Sequence, residues 1–185
     1  PYDSDLVETD RNGNITGFLA KPHTPDLLYR NLTNAAVYIL SPEVLNYIED
    51  AKMQDFGKDT FPRLLRHNVR LRAYQTPEFI RDMGTKDRLA QISADVDSGK
   101  VARRNLRYKQ KAVFLDRDGT LNVNMDTHPA VESFTLLPGV AEAVRRLNES
   151  DYLSIVVTNQ PMIAKGFVTE TEVGNIHKKM ETLLG

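Results

Sequence analysis

The chain has 185 residues, 41% of them apolar and 26% charged, with a formal net charge of −1 and no cysteine. This is the composition of a globular protein, and the even charge balance excludes a whole-chain binder of nucleic-acid polymers or of membrane surfaces. No segment reaches the ~20 apolar residues of a membrane span and no signal peptide is read at the start, so a cytoplasmic location is expected, with any metal held by oxygen or histidine.

In chain order, "DLVETDRNGNITGFLA" (5–20) places two apolar-rich runs around Asn12-Gly13, which predicts a β-hairpin. "NAAVYILSPEVLNYI" (34–48) predicts a buried strand up to Leu40, then a short helix from Ser41-Pro42 with Val44, Leu45 and Ile48 on one face. A helix is expected over 59–67 and a half-buried strand over 69–74. "TKDRLAQISADVDSG" predicts a helix capped by Thr85, with Leu89, Ile92 and Val96 in register and Gly99 at its end.

Residues 99–111 hold six basic residues without a clear period, which predicts a solvated linker over 99–110. Beyond it the pattern becomes strand (Ala112–Leu115), loop, helix (Gly139–Ser150) and strand (Leu153–Val157). Near-continuous apolar strands joined by an amphipathic helix predict a β-α-β unit in a parallel sheet covered on both faces, with ligands beyond the carboxyl ends of its strands. A last helix opens at a Thr169/Glu172 capping box and aligns Val173, Ile176, Met180 and Leu183. The fold class is α/β. The opening "PYDSD" lacks an initiator methionine, and the chain reads as an excerpt.

The chemistry concentrates in "VFLDRDGT" (113–120). Two carboxylates, Asp116 and Asp118, follow an apolar strand, and their repulsion is costly unless a cation or a reaction uses it. An oxygen-seeking ion such as Mg²⁺ would relieve it and grip a phosphate oxygen. One carboxylate is then free to attack phosphorus while the other moves protons. Thr158 and Asn159, at the end of the adjoining strand, supply hydrogen-bond donors for phosphate oxygens, and Lys165 adds a positive charge. Taken alone, Asp-x-Asp is usually a turn and Thr-Asn a cap; their pairing after two apolar strands is not required by turn chemistry.

"VFLDRDGT" followed by "VVTNQ" (156–160) resembles the first two signature motifs of the haloacid dehalogenase superfamily, and the wording through "PMIAKGFVTETE" is similar to its heptose-bisphosphate and histidinol-phosphate phosphatase branch. The resemblance covers 111–185 and implies the first half of a Rossmann-like parallel-sheet domain. It implies Asp116 as nucleophile, Asp118 as general acid/base, and Mg²⁺ held by the Asp116 side chain and the Asp118 backbone carbonyl. Thr158 and Asn159 would hold the phosphoryl group, and Asn124, Met125, Asp126, Thr127, Gln160 and Pro161 would border the substrate. The zinc loop common in that branch would lie beyond Gly185. His128 and His177 read as surface or cap residues.

"FLAKP" (18–22), "NAAVYIL" (34–40), "FGKDTFPRLL" (56–65) and "RDMGT" (81–85) resemble, in this order, the later half of a sugar-1-phosphate nucleotidyltransferase. The resemblance implies that Lys21 touches the sugar phosphate, that Asn34 reads a sugar hydroxyl and that Asp82 helps to hold Mg²⁺. Ala20 and Ala36 replace the glutamate and glycine of that pattern. Residues 1–98 are therefore read as the C-terminal part of a nucleotidyltransferase-like α/β domain.

The expectation is a bifunctional enzyme of nucleotide-activated sugar synthesis. Its Mg²⁺-dependent phosphatase acts on a sugar bisphosphate resembling D-glycero-D-manno-heptose 1,7-bisphosphate, and its transferase joins a sugar 1-phosphate to a nucleotide. Its partners are those small molecules. The alternatives are a non-catalytic sugar-phosphate-binding or scaffolding segment, which Ala20 and Ala36 favour, and a histidinol-phosphate phosphatase, which leaves the first hundred residues unexplained.

Overall fold

The computed structural model describes residues 4–24, 26–125, 128–150 and 152–185. The chain divides into two compact units, Pro1–Thr76 and Pro77–Gly185.

In the first unit, strands β1 (Leu6–Thr9) and β2 (Ile15–Leu19) form the expected antiparallel hairpin, with Val7 opposite Phe18. Its turn is built by side chains: the Asp10 carboxylate accepts the backbone N–H groups of Asn12 (2.9 Å) and Asn14 (2.8 Å), and Gly13 takes φ +78°. The hairpin is flanked on both edges. Val7 N–H donates to the Leu32 carbonyl (2.8 Å), and Ile15 N–H to that of Leu71 (2.9 Å).

Three expectations need correction in this unit. Residues 34–40 form no strand: Ala36 turns to φ +54°, no strand among the described residues pairs with the run beyond Asn34, and Ile39 is 101% exposed. The segment Pro42–Tyr47 is a 3₁₀ turn, so at three residues per turn Val44 is buried while Leu45 stays exposed. The strand expected over 69–74 is limited to one bridge, Arg72 to Asn14, with its flanking hydrogen bonds.

Helix α1 (Phe61–Arg66) follows a single wide turn at Phe56–Thr60, whose start the Asp55 carboxylate caps by accepting Lys58 N–H. Phe61, Leu64 and Val44 make the core of this unit, closed by Phe18, Tyr47, Val69 and Leu71. Phe18 stacks on Phe61 at 5.3 Å and Tyr38 meets the same ring edge-on at 4.7 Å.

In the second unit, α2 (Lys86–Asp97) starts at Thr85, whose hydroxyl accepts Arg88 N–H, and α3 (Lys100–Arg103) follows Gly99 at φ +75°. The helix stands where the capping pattern puts it, yet no residue of it is buried. Strands β3 (Lys111–Leu115) and β4 (Tyr152–Val156) are parallel and joined through α4 (Val140–Glu149). The short helix α5 (Pro161–Ala164) leads to α6 (Glu170–Leu184), which opens on the expected Thr169/Glu172 capping box.

Leu121, Phe134, Val144, Ile176 and Met180 form the core of this unit, with Leu115 and Val156 facing it from the sheet. The covered face is one, not the two expected. Side chains alternate along each strand, so Phe114 and Val157 point the other way, where no described element covers them; Phe114 is 69% exposed. No helix among the described residues is long and apolar enough to cross a membrane.

Candidate active site

β3 ends at Leu115, and the chain then closes a tight turn in which the Arg117 carbonyl accepts the N–H groups of Thr120, Leu121 and Asn122 (3.3, 2.8 and 3.2 Å). Gly119 makes this possible by taking φ +79°, a region where a Cβ is penalised. The curl leaves Asp116 exposed and Asp118 half-buried at the C-terminal edge of the sheet.

Asp118 is the most heavily bonded group there. The Arg117 guanidinium forks onto both of its oxygens, Nη2 at 2.9 and 2.7 Å and Nε at 3.1 Å. Asn122 Nδ2 donates to Oδ1 at 3.1 Å, and Gln160 Nε2 to Oδ2 at 2.7 Å. Burial pushes the Asp118 carboxyl up, but the hydrogen bonds from Arg117, Asn122 and Gln160 and the arginine charge outweigh it, so its pKa lies below the ordinary aspartate value.

Gln160 ties the two predicted motifs together. The same Nε2 that reaches Asp118 also donates to Thr158 Oγ1 at 2.8 Å. Thr158 therefore accepts from Gln160 and keeps its own hydroxyl proton for another acceptor. Asp116 is less engaged: Oδ1 accepts the Arg117 N–H at 2.8 Å, and among the described residues Oδ2 takes no hydrogen bond.

The other predicted residues fall as follows. Asn159 and Lys165 are exposed, and Pro161 opens α5. Asn124 lies over Gly119, where its Oδ1 stands 2.9 Å from the position of an added Cβ. Met125 packs against the core of this unit. Asp126 and Thr127 lie outside the described residues.

In the first unit both sugar-contact candidates are tied to Asp5: its carboxylate accepts Lys21 N–H at 3.0 Å and its carbonyl accepts Asn34 N–H at 2.9 Å. Asn34 Oδ1 accepts from Ala36 N–H (3.1 Å) and Tyr38 Oη (3.0 Å). Asp82 belongs to the second unit, where it accepts from Arg88 Nη1 (2.5 Å) and Gly84 N–H (3.1 Å).

Arg117, Asn122 and His177 carry no weight in the sequence reading. Arg117 is 1% exposed, and its Nη1 lies 3.2 Å from His177 Nε2 on α6. Asn122 is fully buried, and its Oδ1 has no hydrogen-bond partner among the described residues. A signal for His177 was present: it lies four residues after Val173, hence beside the buried stripe of α6.

Magnesium takes one or two carboxylates and completes its shell with water and phosphate oxygens. The exposed, half-free carboxylate of Asp116 suits such an ion, whereas that of Asp118 is occupied by Arg117. Among the described residues no group of three or more His, Asp or Glu is placed to hold a metal.

A family model described as nucleotidyl transferase matches residues 6–99. The D-glycero-beta-D-manno-heptose-1,7-bisphosphate 7-phosphatase of Haemophilus ducreyi is 39% identical over 72 residues, covering 39% of this chain and 40% of that protein. The protein of the same name from Haemophilus influenzae is 42% identical over 62 residues, covering 34% of each. Among solved structures, the D,D-heptose 1.7-bisphosphate phosphatase of B. bronchiseptica, complexed with magnesium and phosphate, is 33% identical, with a TM-score of 0.39, over 40% of this chain and 42% of that one. The chain spans about two fifths or less of the length of these phosphatases.

Proposed function

The chain belongs to the nucleotidyl transferase family through residues 6–99, and on that premise, joined to the aspartate pair after β3, we propose that it is part of a two-activity enzyme of activated-sugar synthesis. One activity removes a phosphate from a sugar bisphosphate of the heptose 1,7-bisphosphate type; the other couples a sugar 1-phosphate to a nucleotide. Gln160, bonded at once to Asp118 and Thr158, is the observation that carries the phosphatase reading. It joins a proton-transfer carboxylate to a phosphate-binding hydroxyl.

In this reading Asp116 Oδ2 attacks phosphorus, an acyl phosphate forms, and the bond from phosphorus to the sugar oxygen breaks. The departing oxygen takes a proton from Asp118. Water then attacks the acyl phosphate, gives its proton back to Asp118 and releases inorganic phosphate. The lowered pKa keeps Asp118 ionised, the form that the second half begins from. For the first half the proton has to arrive as one of the hydrogen bonds from Arg117 or Gln160 opens.

Thr158 and Asn159 hold the phosphoryl oxygens, Lys165 adds positive charge, and Gln160, Pro161 and residues 124–127 border the sugar. Asp116 and the Asp118 backbone carbonyl would hold Mg²⁺, which neutralises charge on the phosphate. In the first unit Lys21 and Asn34 contact the sugar phosphate; with Asn34 Oδ1 engaged within its own loop, its Nδ2 is the atom offered to a hydroxyl.

The test is phosphate release by the full-length protein from a panel of sugar bisphosphates, with and without Mg²⁺. Release from a bisphosphate, dependent on Mg²⁺ and lost in Asp116→Asn, is the expected result. A protein inert toward the whole panel would end the phosphatase reading.

A further inference from the structure

A buried guanidinium costs several kcal/mol unless its charge and its donors are met. Arg117 is such a group, with 1% of its surface exposed. The edge formed by Nε and Nη2 faces Asp118, while the remaining terminus, Nη1, points to His177 Nε2 at 3.2 Å. Because the fork is planar and rigid, fixing Nη1 fixes the plane of the whole group, and with it the direction in which the Asp118 carboxylate is held.

Resting on the phosphatase reading above, we infer that Arg117 and His177 are positioning residues that aim the Asp118 carboxylate, so that helix α6 sets the geometry of proton transfer. For Nη1 to donate, Nε2 of His177 must offer its lone pair. The ring is held firmly. Its neighbour Ile176 is 0% exposed, Val173 and Met180 are buried beside it, and the capping box fixes the start of the helix. Asn122 braces the same carboxylate from the turn side. Without the imidazole acceptor the guanidinium can rotate, and Asp118 turns with it. The link spans 60 positions of sequence.

Two variants separate aim from mere packing. His177→Phe keeps a ring and removes the acceptor; His177→Gln restores an acceptor near the position of Nε2. In the full-length protein, His177→Phe should lower kcat roughly ten- to hundredfold with KM within about twofold, and His177→Gln should recover most of that loss. A second readout does not depend on turnover: NMR signals of the Arg117 Nη protons should be separate in the wild type and in His177→Gln, and averaged by rotation in His177→Phe.

Wild-type kcat in His177→Phe, or averaged Arg117 signals in the wild type, would overturn the inference. If no form releases phosphate, the phosphatase reading has failed and the proton-transfer role falls with it, and the arginine signals then report the Arg117–His177 contact alone. Should His177→Phe not fold, His177→Leu and the wild-type arginine signals decide the same question.

Discussion

Asn124 Oδ1 stands 2.9 Å from where a Cβ on Gly119 would be, and Gly119 holds φ +79°. Gly119→Ala therefore meets both a collision and an unfavourable backbone, a cost of about 1–2 kcal/mol for the backbone alone. The melting temperature should fall by several degrees, and phosphate release should fall further than stability explains, because Asn124 is displaced. Thermal melts and the release assay on one preparation check this; an unchanged melting temperature contradicts it.

Asp116 is exposed and bonded only to the N–H of its neighbour among the described residues. Asp116→Asn should abolish phosphate release in the full-length protein while changing stability by no more than about 0.5 kcal/mol, as surface replacements do. Nucleotide transfer should be untouched. Both activities measured side by side provide the check.

Ile176 is wholly buried at the centre of the second unit, with Val144 and Phe134 in the same cluster. Ile176→Ala removes that packing and leaves a cavity, which costs about 2–5 kcal/mol. The midpoint of urea unfolding should drop with its slope unchanged.

The Asp118 carboxyl titrates below the ordinary aspartate value, since burial raises its pKa but the bonds from Arg117, Asn122 and Gln160 lower it more. The unfolded chain thus binds more protons than the folded one across that interval. The resulting stabilisation is complete above the ordinary value and is lost as pH falls through the folded one. Gln160→Leu removes one of these bonds. Its stability deficit should be present near neutral pH and shrink as pH falls below the ordinary aspartate value, as followed by urea unfolding across the range. A deficit independent of pH would show that Gln160 does not act through the Asp118 charge.

Local chemistry was readable from the chain where one segment decides its own shape. Asn12-Gly13 placed the hairpin turn, Thr85 and Thr169 placed helix starts, and the strand before Asp116 lies within one residue of its expected start. What needs a neighbour was not readable. The apolar run at 34–40 has the composition of a strand but pairs with no strand among the described residues, and the stripe of Leu89, Ile92 and Val96 lies on a helix none of whose residues is buried. The site divides in the same way: Asp116 and Asp118 lie two positions apart in sequence, whereas the contact from Arg117 to His177 exists only once α6 has packed.

Asp5 grips the chain at two places, the start of the Lys21 peptide and the start of the Asn34 loop. The lysine and the asparagine are thereby coupled as a caliper with a common pivot. A disturbance at that pivot would open both jaws together, so the sugar-phosphate affinity proposed for this unit would be lost in one step instead of one contact at a time.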